Sequence, residues 1–178
     1  MTPEALKALV RTVPDFPAPG IQFRDLTTLM ADGEGLASAI DRLAACAAGL
    51  GATAVAGIEA RGFIFGAALA LKLGVGFIPL RKPGKLPVPT IAEDYALEYG
   101  NARLECDPTL LRAGENVLLV DDLIATGGTA LAAASLLRRA GAVCHHALFV
   151  IDLPELGGVQ ALRMAGIESQ SLMAFEGH

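Results

Sequence analysis

Charge is scarce in this chain: only 19% of its 178 residues are charged, against 53% hydrophobic. A disordered polypeptide shows the reverse balance, so disorder is excluded and one large core is expected. Basic side chains are outnumbered 14 to 19, giving a net charge of -5 and a pI near 5.1. A DNA- or RNA-coating protein needs a basic surface, so no nucleic-acid partner is expected. Cysteine is limited to Cys46, Cys106 and Cys144, widely spaced and odd in number. There is no C-x-x-C pair and no zinc-type Cys/His spacing, which leaves reduced thiols in a cytoplasmic protein. The opening Met1-Thr2-Pro3-Glu4 has neither the basic nor the apolar region of a signal peptide, so none is expected. No Ser- or Pro-rich linker and no repeat period divides the chain.

Mean hydropathy is nonetheless +0.49, so a membrane span has to be considered. The longest apolar run, residues 62–80, contains Lys72, four glycines and Pro79. It divides into a helix over 62–73, a glycine turn and a strand over 75–80, and no membrane partner is expected. Alanine-rich helices covering both faces of an apolar parallel sheet explain the hydropathy instead.

The remaining periodicity alternates between strand and helix. Thr2 caps a first helix with Pro3 at its first position. A stiff loop follows over 15–20, then a short strand over 21–23. Helices are expected at 34–48, 128–140 and 156–165, and strands at 53–58, 116–120, 143–151 and 168–174. A β-hairpin is expected from 95–99 and 102–106, turning around Gly100-Asn101. Alternating β and α segments imply an α/β fold: a central parallel sheet with helices on both faces.

One stretch carries most of the chemical information: Val117-Leu118-Leu119-Val120-Asp121-Asp122-Leu123-Ile124-Ala125-Thr126-Gly127-Gly128-Thr129. An apolar strand runs out into two carboxylates, a glycine loop follows, and an alanine-rich helix begins. Ligands of open α/β sheets bind beyond the carboxyl ends of the strands. In the loop Ala125, Thr126, Gly127, Gly128 and Thr129, glycines let backbone N–H groups approach an anion. The helix N-terminus adds unpaired donors and partial positive charge, and the threonines add hydroxyls. There is no Walker G-x-x-x-x-G-K-[ST] pattern. Asp121 and Asp122 would repel a polyphosphate but accept well from the 2- and 3-hydroxyls of a ribose. The stretch therefore reads as a site for a sugar and its terminal phosphate.

Other signals lead elsewhere. Gly49-Leu50-Gly51-Ala52-Thr53-Ala54 fits G-x-G-x-x-A but precedes a strand, which fails the dinucleotide context. His145 and His146 are neighbours on a strand and face opposite ways, so they do not form one metal site.

The thirteen-residue stretch resembles the phosphoribosyl-diphosphate signature of the type I phosphoribosyltransferases. Four further segments narrow the likeness to the adenine-using members: Pro19-Gly20-Ile21-Gln22-Phe23-Arg24-Asp25, Gly57-Ile58-Glu59-Ala60-Arg61-Gly62-Phe63, Arg81-Lys82-Pro83-Gly84-Lys85-Leu86-Pro87 and Tyr95-Ala96-Leu97-Glu98-Tyr99-Gly100. The resemblance runs from about Asp15 to the terminal Phe175-Glu176-Gly177-His178. It implies a type I phosphoribosyltransferase fold in one domain over 1–178. A small base-binding hood would come from about 1–30 and the C-terminal segment, with a mobile β-hairpin loop over the site.

The implied reaction joins adenine to phosphoribosyl diphosphate, giving AMP and pyrophosphate. By resemblance, 125–129 hold the 5-phosphate, and Asp121 and Asp122 hold the ribose. Ala60, Arg61, Arg81, Lys82, Lys85 and Tyr99 serve pyrophosphate; an arginine fork suits it because it bonds two oxygens at once. Gln22, Phe23, Arg24 and Leu153 form the adenine site, with Phe23 and Leu153 sandwiching the ring. Glu98 handles the adenine proton, which with Arg61 completes the catalytic set. Ala125 stands where relatives using 6-oxopurines commonly carry an acid. The resemblance also implies Mg2+ held mainly by substrate oxygens, and a homodimer. The alternatives are a transferase for another purine, such as xanthine or guanine, and a non-catalytic sensor of phosphoribosyl diphosphate.

Overall fold

The computed structural model describes residues 1–97 and 100–177. Helix α1 (Pro3–Ala8) starts as expected, with the Thr2 hydroxyl accepting from the Ala5 N–H at 3.2 Å. Two antiparallel strands follow, β1 (Arg11–Pro14) and β2 (Gln22–Asp25). The sequence shows only the second of these. β1 has no apolar alternation of its own and exists by pairing with β2, with the Arg11 Nε donating to Asp25 at 3.0 Å. A short helix, α2 (Thr27–Ala31), also escapes the sequence; at five residues it has no full amphipathic period, and only Leu29 is buried. Helix α3 (Gly33–Ala47) is capped by the Asp32 carboxylate, which accepts from the Gly35 N–H at 2.7 Å.

The core is a five-stranded, all-parallel sheet: β3 (Ala54–Ile58), β4 (Gly76–Leu80), β7 (Asn116–Ile124), β8 (Val143–Asp152) and β9 (Glu168–Ala174). Their spatial order is β4-β3-β7-β8-β9. Helix α4 (Arg61–Leu73) ends at Gly74 in the left-handed region, which a glycine adopts without cost. Helices α5 (Gly128–Arg139) and α6 (Gly158–Met164) complete the layers. Along β7, Leu118 and Val120 face the α1–α4 side with Phe65 and Leu69, while Val117 and Leu119 face the α5–α6 side with Leu136 and Phe149. Helices cover both faces, so the interior strand β3 and residues 117–120 of β7 are buried and apolar.

Two boundaries differ in ways that affect the site. β7 does not stop at residue 120. Leu123 and Ile124 pair with Ile151 and Asp152 of β8, so Asp121 and Asp122 are strand residues. The hairpin β5 (Ile91–Leu97) and β6 (Gly100–Cys106) also begins earlier than expected, and Gly100 and Asn101 are paired strand residues, not a turn. Burial of Leu104 and Cys106, with Ile91 and Tyr95 packed on the same core, sets that register over local turn preference. The base of β6 is tied to the end of β4: Arg81 and Glu105 exchange both backbone hydrogen bonds, at 2.8 and 2.7 Å. Among the described residues no helix is long and apolar enough to cross a membrane.

Candidate active site

The strand order reverses direction at β3. From it the chain goes outward to β4, then returns to place β7 on β3's other side. A crevice at the carboxyl ends of β3 and β7 follows from that reversal, and it is the favoured ligand position in open α/β sheets. A cavity of about 930 Å³ lies there. Its walls are 58–61 at the end of β3, Lys82 and Pro83 after β4, residues 121–130, and the hairpin residues Asp94, Tyr95 and 101–103.

The floor is built by close backbone approach. A Cβ on Gly62 would sit 2.7 Å from the Asp121 Oδ1 and 3.0 Å from the Val120 carbonyl. The absence of one lets the first turn of α4 press against β7, and Arg61 then reaches Asp122. Their Nε and Oδ2 are 2.6 Å apart; the Asp122 side chain is 8% exposed and that of Arg61 41%. The Arg61 guanidinium also lies 5.7 Å from the centre of the Phe23 ring. Asp121 accepts from the Asp122 N–H at 2.9 Å. Burial, reinforced by the negative charge of Asp122, pushes the Asp121 carboxyl well above the usual carboxylate range, and Arg61 offsets only part of this.

Residues 125–129 wrap the start of α5. Gly127 caps the helix with φ +86, a conformation that favours glycine. The segment is held from behind by α6: the Gly158 N–H donates to the Ala125 carbonyl at 3.0 Å. A Cβ on Gly158 would fall 2.3 Å from that oxygen and 2.9 Å from the Gly127 nitrogen. The sequence does not mark Gly158 as a site residue; its only local signal is the Gly157-Gly158 pair.

The cationic loop is shaped by two glutamates that the sequence pattern likewise leaves unmarked as site residues. Glu59 accepts from the Lys82 N–H at 2.9 Å and from the Arg81 Nε at 3.2 Å. Burial works upward on its carboxyl, but these bonds outweigh it and hold its pKa below the ordinary value. Glu105 accepts from the Gly84 N–H at 3.0 Å. Across the hairpin, Arg103 makes a bidentate pair with Asp94 at 2.6 and 2.7 Å, which lowers the Asp94 pKa. Arg139, at the far end of α5, donates to the Ala92 carbonyl at 2.7 Å and so anchors the hairpin's first strand.

The expected site residues thus divide. Ala60, Arg61, Lys82, Asp121, Asp122 and all of 125–129 line one cavity. Arg81 and Lys85 lie outside that lining; the Arg81 guanidinium is turned onto Glu59 and onto the Lys85 carbonyl, at 3.1 Å. Gln22, Phe23 and Arg24 stand on β2, and Leu153 follows β8, its N–H donating to the Ile124 carbonyl at 3.0 Å. These four are also outside the cavity lining; Phe23 meets it at Arg61, and Leu153 at Ile124. The Arg24 guanidinium faces the C-terminal segment, donating to the Thr12 hydroxyl and to the carbonyls of Glu176 and Gly177, at 2.7, 2.7 and 2.8 Å. Glu98, Tyr99 and His178 lie outside the described residues. Among the described residues no group of three or more His, Cys, Asp or Glu could hold a metal by itself.

The phosphoribosyl transferase domain family matches residues 22–159. Proteins named adenine phosphoribosyltransferase from Novosphingobium aromaticivorans and Erythrobacter litoralis are each 68% identical over all 178 residues, covering 100% of both chains. The crystal structure of an adenine phosphoribosyltransferase from Thermoanaerobacter pseudethanolicus superposes with a TM-score of 0.93 at 42% identity, over 98% of this chain and 100% of that one. The Saccharomyces cerevisiae enzyme, crystallised with adenine and an imino-altritol bisphosphate, superposes with a TM-score of 0.89 at 36% identity, over 96% and 98%. With the crevice at the strand-order reversal, the glycine cradle and the acidic pair in place, the chain belongs to the type I phosphoribosyltransferase family, on its adenine phosphoribosyltransferase branch.

Proposed function

We propose that this protein transfers the 5-phosphoribosyl group of phosphoribosyl diphosphate to N9 of adenine, releasing pyrophosphate and forming AMP, a purine-salvage reaction. The observation that carries the reading is the crevice between β3 and β7. There Arg61, the Asp121–Asp122 pair and the 125–129 cradle line one cavity, in a chain 68% identical end to end with relatives of that name.

In this mechanism the backbone N–H groups and threonine hydroxyls of 125–129 hold the 5-phosphate at the start of α5. Asp121 and Asp122 accept from the ribose hydroxyls. They also offset positive charge that develops on the ring as the bond from C1 to pyrophosphate lengthens. Arg61 and Lys82 take the departing pyrophosphate. Arg81 and Lys85 flank Lys82 and add cationic charge on the pyrophosphate side, with the Arg81 guanidinium bonded to Glu59 and to the Lys85 carbonyl. Phe23 and Leu153 bracket adenine, with the backbone of Gln22 and Arg24 reading its exocyclic amine. Glu98 accepts the N9 proton, and Tyr99 stands beside pyrophosphate. Most of the gain comes from aligning two reactants and stabilising a leaving anion.

Two carboxylates facing a cavity suit Mg2+, which prefers one or two carboxylates completed by substrate phosphates to an all-protein cage. Asp121 and Asp122 would be its protein side. When bound, the ion neutralises charge on the leaving pyrophosphate. Self-association belongs to the same reading: α4 turns Ile64, 43% exposed, and Leu71, 84% exposed, outward at a seven-residue spacing that a second copy would cover. Three free thiols suit a cytoplasmic location.

The test is direct. Purified protein with Mg2+, adenine and phosphoribosyl diphosphate should yield AMP and pyrophosphate in equal amounts, and Glu98→Gln should lower turnover. Preference for hypoxanthine, guanine or xanthine in competition would refute the adenine assignment. Sedimentation giving a monomer at micromolar concentration would remove the dimer.

A further inference from the structure

The Arg61–Asp122 contact joins two groups that the proposed reaction assigns to different parts of one substrate, Arg61 to pyrophosphate and Asp122 to ribose. We propose that this ion pair is a latch that makes pyrophosphate binding and ribose binding depend on each other. The inference rests on those two assignments.

Arg61 and Asp122 are 2.6 Å apart, and the carboxylate end is nearly sealed from solvent while the arginine end is not. A pyrophosphate arriving alone draws Arg61 outward and strips Asp122 of its partner. The stranded carboxylate then sits beside the carboxyl of Asp121, which accepts from the Asp122 N–H at 2.9 Å and is itself packed against the first turn of α4. An uncompensated buried charge is far more costly than an exposed one. A ribose arriving alone must compete with Arg61 for the same carboxylate. Only a ligand bringing a diol and a diphosphate replaces both halves of the pair in one event. The site would thereby reject free pyrophosphate and sugar monophosphates relative to the activated sugar, through a penalty on partial occupancy, not through added contacts. Because the coupling is thermodynamic, it is reciprocal.

The latch is specific to this arginine. Arg81 is also ion-paired, with Glu59 at 3.2 Å, but Glu59 is bonded to the loop backbone as well and carries no ribose assignment. Releasing Arg81 would therefore expose nothing that a sugar could satisfy.

Calorimetry with the full chain in EDTA tests this, with inorganic pyrophosphate as the titrant. Saturating ribose 5-phosphate should tighten pyrophosphate binding to the wild type by about 10-fold, within the usual range of binding coupling. 2-Deoxyribose 5-phosphate, with one hydroxyl fewer for the carboxylates, should tighten it less. In Asp122→Asn, pyrophosphate alone should bind more tightly than to the wild type, and ribose 5-phosphate should weaken it by simple repulsion. Asp121→Asn alters the neighbouring carboxyl without releasing Arg61 and should tighten pyrophosphate binding less. The latch is refuted if ribose 5-phosphate gives the wild type no enhancement, or if both asparagine variants tighten pyrophosphate equally. Should Asp122→Asn not fold, the wild-type titrations decide alone. Failure of the underlying reading looks different: no AMP would form from adenine and phosphoribosyl diphosphate, whereas a failed latch leaves AMP formation intact.

Discussion

Gly157 and Gly158 are adjacent, yet alanine should act on them through unrelated causes. At Gly158 an added Cβ would lie 2.3 Å from the Ala125 carbonyl, 2.7 Å from Ile124 Cγ1 and 2.9 Å from the Gly127 nitrogen. Two of these are backbone atoms of the phosphate cradle, so relief requires moving α6 and the 125–127 segment apart by about 1 Å. Overpacking of this kind costs about 1–3 kcal/mol, or roughly 2–12 °C in Tm for a chain of this size. Gly157 has φ +74, and an added Cβ there would have nothing within 4 Å of it. Alanine at that position meets no neighbour but pays for a left-handed backbone, about 1–2 kcal/mol. Melting curves therefore overlap, and kinetics separate the two. A misplacement of about 1 Å in a positioning group can cost on the order of 100-fold. Gly158→Ala should lower kcat/KM for phosphoribosyl diphosphate by about 10- to 100-fold, while Gly157→Ala stays within about 2-fold at 25 °C. Equal kinetic losses in the two variants, or wild-type kinetics in Gly158→Ala, would refute the claim that α6 sets the shape of the cradle.

Glu59→Gln removes the charge that holds Arg81 and the Lys82 N–H at 3.2 and 2.9 Å. Hydrogen bonds to charged groups are worth about 1.5–3 kcal/mol. The KM for phosphoribosyl diphosphate should rise several-fold, with the adenine KM little changed; a parallel rise in both would count against a role confined to the pyrophosphate side. Asp25 is held at a pKa of about 2 by hydrogen bonds from the Thr27 hydroxyl and N–H, with Arg11 adding to them. A depressed carboxyl stabilises the folded state above the unfolded pKa and loses that contribution as pH falls through the folded one. Asp25→Asn should therefore be less stable than the wild type at pH 7, with the gap closing between about pH 4 and 2 in denaturant titrations. A gap that persists at pH 2 would assign the loss to packing. Burial pushes the Cys106 and Cys144 thiols up to about 11. In native protein at pH 7.5 neither should react with a thiol reagent on the time scale of minutes, while both react after denaturation; rapid labelling of either would show that the core opens locally.

Local patterns made much of the fold legible. Thr2-Pro3-Glu4 announces α1, and the apolar strand expected over 53–58 lies within one residue of β3. Those signals come from capping and from apolar strands, which act over a few residues. The hairpin shows where such reading stops. Gly100 and Asn101 carry a strong turn preference, but the burial of Leu104 and Cys106 places them inside a strand. Likewise β1 and α2 are too short to carry a period and depend on partners elsewhere in the chain.

The order of residue types along 117–129 was enough, by itself, to announce an apolar strand, an acidic pair and an anion-binding helix start, because each is a contiguous chemical feature. Only the tertiary structure decided that Arg61 meets Asp122 and that Glu59 holds Arg81. It also decided that Gly158 supports the cradle from behind. Each of these contacts joins segments brought together by strand order and by close backbone approach at glycine. A pattern read along one segment holds no information about which distant segment will lie against it.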